Sequence, residues 1–291
     1  MTAAIRNVAD TAFWVAHHRA LESARRDALF TDPYAAELAG ERGREMSARV
    51  PTSGIVAWNV AIRTVIIDAF ITQAIAAGVD TMLNLGAGLD TRPYRMTLPP
   101  PLLWIEADYS QTNDYKARIL DPHTPRCRLE RVSVDLADDA ARRALLASVD
   151  ARAARLLILT EGVVPYLSND AVGTLADDLH ALEHVHGWIV DYFSKQAIEF
   201  RRKKPVRTAM QNAPFLFEPD DWVRFFADHG WQVSEMRYLY EDSLRLGRPM
   251  PLPVLLRVIV RLSRLWTSAE RQRELSRFAG YALLTRSAAT A

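Results

Sequence analysis

The residues with the clearest chemical use are a glycine turn and two acids. Asn84-Leu85-Gly86-Ala87-Gly88-Leu89-Asp90 closes one apolar run, and Glu106 and Asp108 close the next. A Gly-x-Gly turn at the carboxyl end of a strand lets the backbone approach a ligand closely. The acids fall 20 and 22 residues after Gly86. In nucleotide-binding sheets a carboxylate at about this separation meets ribose hydroxyls. A tight turn with no ligand is the competing reading of Gly-x-Gly alone, and the acids count against it. Two ligand classes remain, a dinucleotide and S-adenosylmethionine. A dinucleotide site adds a third glycine that packs helix on strand beside the pyrophosphate. Thr91 stands at that position, which favours S-adenosylmethionine, a ligand without a pyrophosphate.

The elements that must carry this turn read as an α/β protein. TMLNLGAG (81–88), LLWIEAD (102–108), RLERVSVD (128–135), RLLILTEG (155–162) and GWIVDYF (187–193) are strand-like runs. Helical stretches at about 109–120, 138–149 and 168–184 separate them. Strand alternating with helix predicts a doubly wound, mostly parallel sheet. WQVSEMRYLY (231–240) and YALLTR (281–286) add two more strands, making seven. Before the sheet, residues 11–28 and 55–77 carry helical apolar spacing, and Asp32-Pro33 reads as an N-cap with Pro at the first helical position. A helix is also expected from Glu218 to His229, opening at Pro219. No Gly/Ser-rich linker divides the chain. One domain is expected, with an N-terminal helical cap (1–78), a cofactor-binding core (79–193) and helical lid insertions with the last strands (194–291).

Composition narrows the classes. The chain has 291 residues, 36 Lys plus Arg against 35 Asp plus Glu, and one cysteine. The balanced charge argues against a nucleic-acid partner. The single Cys127 excludes a disulfide scaffold and a cysteine-rich zinc module. Only four basic residues are Lys (Lys116, Lys195, Lys203 and Lys204), a bias that fits a GC-rich genome. The first residues lack a signal-peptide layout, and no run approaches the ~18 apolar residues of a membrane span. A cytoplasmic location is the expectation.

At this point several segments together resemble the leucine carboxyl methyltransferase family. They are NLGAGLDTRPYR (84–95), WIEADYS (104–110), SVDL (133–136) and TEGVVPYLS (160–168), with RALESARRDALFTDPYA (19–35) and AIRTVIIDAF (61–70) before them. The resemblance covers about residues 10–193 and is nearer the bacterial branch, which includes S-adenosylmethionine-dependent O-methyltransferases of polyketide and other natural-product pathways. It implies a class I methyltransferase, Rossmann-like fold with S-adenosylmethionine as cofactor. It implies that Gly86 and Gly88 lie against the methionine part, Asp108 holds the ribose, and Asp135 with Leu136 reads the adenine. Glu161 would sit near the amino group or sulfonium, Arg63 would pair with the methionine carboxylate with help from Arg19, and Tyr166 would face the transfer site. Residues 194–291 resemble the family least.

Plainer readings stand beside these. Asp135 could cap the next helix, and Glu161 could be a structural strand-end acid. Arg92, Arg95 and Asp90 are expected to brace the glycine loop through ion pairs. Cys127 reads as buried and inert. His180, His184 and His186 have metal-like spacing but sit away from the ligand rim, so no metal is expected. A helix over 252–266 with Arg257, Arg261 and Arg264 in one stripe fits a lid, a substrate cavity or a homodimer contact better than a membrane surface.

Methyl transfer needs the acceptor in line with the sulfonium at ~3–3.5 Å. A carboxylate acceptor is ionised at neutral pH and needs no base, whereas a phenol benefits from one. His17 and His18 are the only weak base candidates in the segments covering the site. That balance favours a carboxylate on a small, fairly apolar acceptor, with Trp14, Trp58, Phe215, Phe217 and Trp222 available to line its pocket. The alternatives are an NAD(P)-dependent oxidoreductase and a non-catalytic member that keeps the fold.

Overall fold

The computed structural model describes residues 10–49, 53–202, 212–253 and 268–287. The seven expected strands are present: β1 (Thr81–Leu85), β2 (Leu103–Asp108), β3 (Arg128–Ser133), β4 (Leu156–Thr160), β5 (Val185–Phe193), β6 (Trp231–Tyr238) and β7 (Ala279–Arg286). They form one sheet in the order β3-β2-β1-β4-β5-β7-β6. β1 pairs in parallel with β2 and β4, and β7 pairs antiparallel with β5 and β6.

The central strands β1 and β4 are buried at every position, as continuous apolar runs covered on both faces must be. Side chains alternate between two cores. Leu83, Leu85, Ile105, Ile158, Trp188 and Val190 face one. Met82, Trp104, Leu157, Leu159, Ile189 and Leu283 face the other. The first core is closed by α6 (Asp139–Asp150) and α7 (Asn169–His180), with Trp222 and Phe226 beyond. The second is closed by α3 (Ser53–Ala76), through Trp58, Ile62, Ile66, Ile67, Phe70 and Ile71. In the middle of the sheet the strand order reverses at the β1/β4 pair, where open α/β sheets bind ligands at the strands' carboxyl ends.

Three expectations change. Within α3, Gly54–Ala76 has a mean hydropathy of 1.7 and is long and apolar enough to cross a membrane. The run was missed because Asn59, Arg63 and Asp68 interrupt it. Here it packs on the sheet, with half of it buried. The helix expected from Asp32-Pro33 starts at Ala35, as α2 (Ala35–Arg49), with Asp32 Oδ1 accepting from Tyr34 N at 3.3 Å while its Oδ2 takes Arg19 and Thr91. The helix expected from Pro219 begins at Trp222, where Asp221 accepts from Arg224 N as its cap. The arginine-striped 252–266 segment and part of the 195–217 insertion lie outside the described residues.

Candidate functional site

The glycine loop leaves β1 with Gly86 at φ +67 and Gly88 at φ +47, left-handed backbone that costs any L side chain. At Gly86 the protein itself supplies a second reason. An added Cβ would run into Val163 Cγ2, on the loop after β4. Asp108 closes the loop from the end of β2. Its Oδ2 accepts from Gly88 N at 2.7 Å and its Oδ1 from Tyr109 N at 2.7 Å. Glu106, the other acid of that strand, is turned to structural use. It is fully buried against Lys116 Nζ at 2.6 Å and Arg131 Nε at 3.2 Å.

Asp135 lies on the exposed loop after β3. Its Oδ1 accepts from Ala137 N at 2.9 Å and from the Tyr109 hydroxyl at 3.3 Å. It does not cap α6: Asp138 does, accepting from Ala140 and Ala141 N. Leu136 is half-buried against the core, and its carbonyl accepts from Arg142 Nη1 at 2.8 Å. Between Asp108 and Asp135 the Tyr109 ring stands 55 % exposed. Sequence reasoning passed over it, although it follows Asp108 directly.

A buried charge network joins α3 to the ends of β1 and β4. Glu161 Oε1 meets Arg63 Nε at 2.9 Å, and Oε2 meets Arg92 Nη1 at 2.8 Å. Arg92 also reaches Asp68 at 2.7 Å and Asp90 at 2.8 Å. Asp90 accepts from Asn84 Nδ2 and Arg92 N, and Asp68 accepts from Arg95 at 2.7 Å. Arg92, Arg95 and Asp90 thus brace the loop as expected. Burial alone would raise the Asp90 and Glu161 carboxyls, yet the arginines hold both below the usual carboxylate range. Beyond Glu161, Gly162 (φ +68) has nothing within 4 Å of where a Cβ would stand.

Arg19 lies behind the loop. Its Nε meets Asp32 at 2.9 Å and its Nη2 donates to the Leu89 carbonyl. Thr91, the residue in place of a third glycine, is fully buried and donates to the same Asp32 at 2.7 Å. The helix after the loop is only the four residues Arg92–Arg95. Tyr166 ends the turn after β4, its ring stacked on Phe215 at 5.4 Å and packed toward Trp14. His18 is buried and His17 half-buried on α1 (Asp10–Ser23). Burial first, and then the neighbouring Arg44, lowers the His17 pKa.

Asp191 of β5 is a further member that sequence reasoning missed. Its Oδ2 accepts from Gly162 N at 2.9 Å and its Oδ1 from the Tyr281 hydroxyl at 2.9 Å. Burial pushes its carboxyl up to about 6 against those bonds and the nearby Arg63. Away from the rim, the three histidines have separate neighbours. His180 meets the Trp231 ring, His184 meets Asp150 and His186 meets Arg155. Cys127 is buried.

Comparison with known proteins places this geometry. The sequence pattern of the family described as "Leucine carboxyl methyltransferase" matches residues 12–180. A Frankia alni protein named "Putative S-adenosyl-L-methionine-dependent methyltransferase" is 31% identical over 263 residues, covering 84% of this chain and 90% of that protein. A Streptomyces coelicolor protein of like name is 33% identical over 251 residues, covering 82% and 88%. Among solved structures, a DUF574 family protein from Streptomyces avermitilis superposes with a TM-score of 0.58 at 14% identity, covering 94% and 97% of the two chains. The last likeness speaks to the fold.

Proposed function

The chain belongs to the leucine carboxyl methyltransferase family and is an S-adenosylmethionine-dependent methyltransferase, and from that premise we propose that it methylates a carboxylate oxygen of a small, fairly apolar acceptor. One observation carries the reading. The Gly86–Gly88 loop, Asp108 and the Arg63–Glu161 pair converge at the carboxyl ends of β1, β2 and β4, and an aromatic wall of Trp14, Tyr166 and Phe215 stands beside them.

The residues present fit the cofactor. Asp108 and the exposed Asp135 offer carboxylates to hydroxyl and amine donors. The Tyr109 ring between them can flank the adenine. The terminal nitrogens of Arg63 can take the methionine carboxylate, and Glu161 with the open space at Gly162 suits the cationic centre. Arg19 acts through the loop it holds. The 1–78, 79–193 and 194–291 segments serve one catalytic unit. The short helix after the loop and the buried Thr91 suit a ligand without a pyrophosphate.

When bound, the cofactor supplies a methyl carbon made electrophilic by its sulfonium. The chain's part is to hold the acceptor oxygen in line with that carbon and keep water out. The new carbon–oxygen bond forms as the carbon–sulfur bond breaks, and a carboxylate gives up no proton in the exchange. A hydroxyl acceptor would need a base near neutral pKa, and His18, lowered to about 4 chiefly by burial, is a poor one.

The test is transfer from methyl-labelled S-adenosylmethionine to a panel of apolar carboxylic acids and phenols. Methyl esters release labelled methanol in mild base, and methyl ethers do not. Base-labile product is the expected result. Base-stable product, or binding of NAD(P) in place of S-adenosylhomocysteine, would overturn the reading.

A further inference from the structure

Two side chains on α1 are buried with polar atoms that meet no hydrogen-bond partner among the described residues. They are the indole Nε1–H of Trp14 and both ring nitrogens of His18. Trp14 is 9 % and His18 1 % exposed. Four residues apart, they share one face of the helix, with ring centroids 5.6 Å apart. Buried polar groups are ordinarily paired, and those that are not need an explanation. Trp104 Nε1 is unpaired too, but it lies near the start of β2, inside the core. The α1 pair instead borders the rim. Trp14 packs with Ala213 and against Tyr166, whose ring lies on Phe215. The His18 imidazole lies within the field of Arg63.

We infer that Trp14 Nε1 and His18 bind the acceptor's carboxylate and hold one of its oxygens toward the methyl carbon. The inference rests on the carboxylate reading above and deepens it. A neutral imidazole carries one N–H donor, and the indole supplies another. Two neutral donors can fix a carboxylate's orientation. A guanidinium would grip the same oxygens more tightly and blunt the nucleophile. His18 stays neutral at pH 7 because burial, then His17 and Arg63, lower its pKa to about 4. Arg63 is left to Glu161 and the cofactor, while the aromatic wall takes the acceptor's apolar body. In the step itself the acceptor oxygen bonds to the methyl carbon as the carbon–sulfur pair leaves on sulfur, and His18 neither gains nor loses a proton.

The experiment uses the full chain and its Trp14→Phe, His18→Leu and His18→Gln variants. Three quantities are read: the melting temperature of ligand-free protein, S-adenosylhomocysteine affinity by calorimetry, and methyl transfer to decanoate and phenylacetate, with 1-decanol and 2-phenylethanol as uncharged counterparts. Removing an orphaned polar atom should leave the melting temperature unchanged or higher. S-adenosylhomocysteine affinity should stay within about twofold, and KM for the carboxylates should rise about tenfold in Trp14→Phe and His18→Leu. His18→Gln, which keeps an N–H, should recover most of that loss. If the parent methylates the carboxylates and both variants keep its KM, the inference fails while the carboxylate reading stands. A lowered melting temperature with unchanged KM assigns the pair a structural role. Lost S-adenosylhomocysteine affinity moves the donors to the cofactor. Transfer to the alcohols only, or to none of the probes, sinks both readings.

Discussion

Gly86→Ala tests whether the rim is built as described. At φ +67 the alanine pays the left-handed penalty, about 1–2 kcal/mol. Its Cβ also lands on Val163 Cγ2, inside contact distance, and overpacking of that kind costs about 1–3 kcal/mol. The expected loss is therefore roughly 2–5 kcal/mol. The two causes separate in a second variant. Val163→Ala removes the obstructing methyls from a half-buried site, at a cost of about 1 kcal/mol by itself. In Gly86→Ala/Val163→Ala the clash disappears and the backbone strain stays. The double variant should thus be more stable than the sum of the singles by about 1–3 kcal/mol. Urea unfolding followed by circular dichroism gives the four stabilities of the cycle. Calorimetric titration with S-adenosylhomocysteine follows the site, with affinity lost in Gly86→Ala and partly regained in the double variant. A Gly86→Ala protein within about 0.5 kcal/mol of the parent, or strictly additive singles, would refute the contact between the two rim loops.

Asp108→Asn should cost about tenfold to a hundredfold in S-adenosylhomocysteine affinity, because it weakens charge-assisted hydrogen bonds. Calorimetry showing near-parental affinity would remove Asp108 from the site. Arg92→Met leaves Asp68, Asp90 and Glu161 short of a shared counter-charge and should destabilise by about 3–5 kcal/mol in urea unfolding. Arg92→Lys should not restore this, since one ammonium cannot bridge three carboxylates. Asp191 supplies a pH signature. Its folded pKa, pushed up to about 6 by burial, exceeds its unfolded value of 3.8, so the folded state holds the proton more tightly. Its contribution is intact below the unfolded value, falls as pH rises toward about 6, and is flat above. Asp191→Asn should flatten that decline relative to the parent, read as melting temperature against pH. A parallel profile for the variant would contradict the assignment. Burial also pushes the Cys127 thiol up to about 12. One equivalent of a thiol reagent at pH 8 should therefore react slowly with native protein and at once in urea, and equal rates would place Cys127 at the surface.

Central strands flanked on both sides are buried at every position and mostly apolar, so TMLNL and LLILT were legible as strands without any tertiary knowledge. The glycine loop and Asp108 were legible for a related reason. A loop at a strand's end is a local object, and the acid that closes it comes from the next strand along. What stayed hidden is set by partners far apart in sequence. Arg19 bonds Asp32 and the Leu89 carbonyl, 13 and 70 residues away. Asp68 sat unremarked in an apolar helix, although it anchors Arg92 and Arg95. Asp191 meets Tyr281 only because β5 and β7 pair with those two residues opposite each other. The same distinction separates the two halves of the site. A cofactor shared by a family can be held by short loops that follow successive strands, so its side is written in local motifs. The side proposed for the acceptor joins Trp14 and His18 from the first helix, Tyr166 from the turn after β4, and Ala213 and Phe215 from a later segment. The sequence nominated Trp14 and Phe215 among five aromatics, but spacing along the chain could not separate them from Trp58, Phe217 and Trp222, which pack in the sheet's cores. Only folding brings these segments together, because each lies far from the others along the chain.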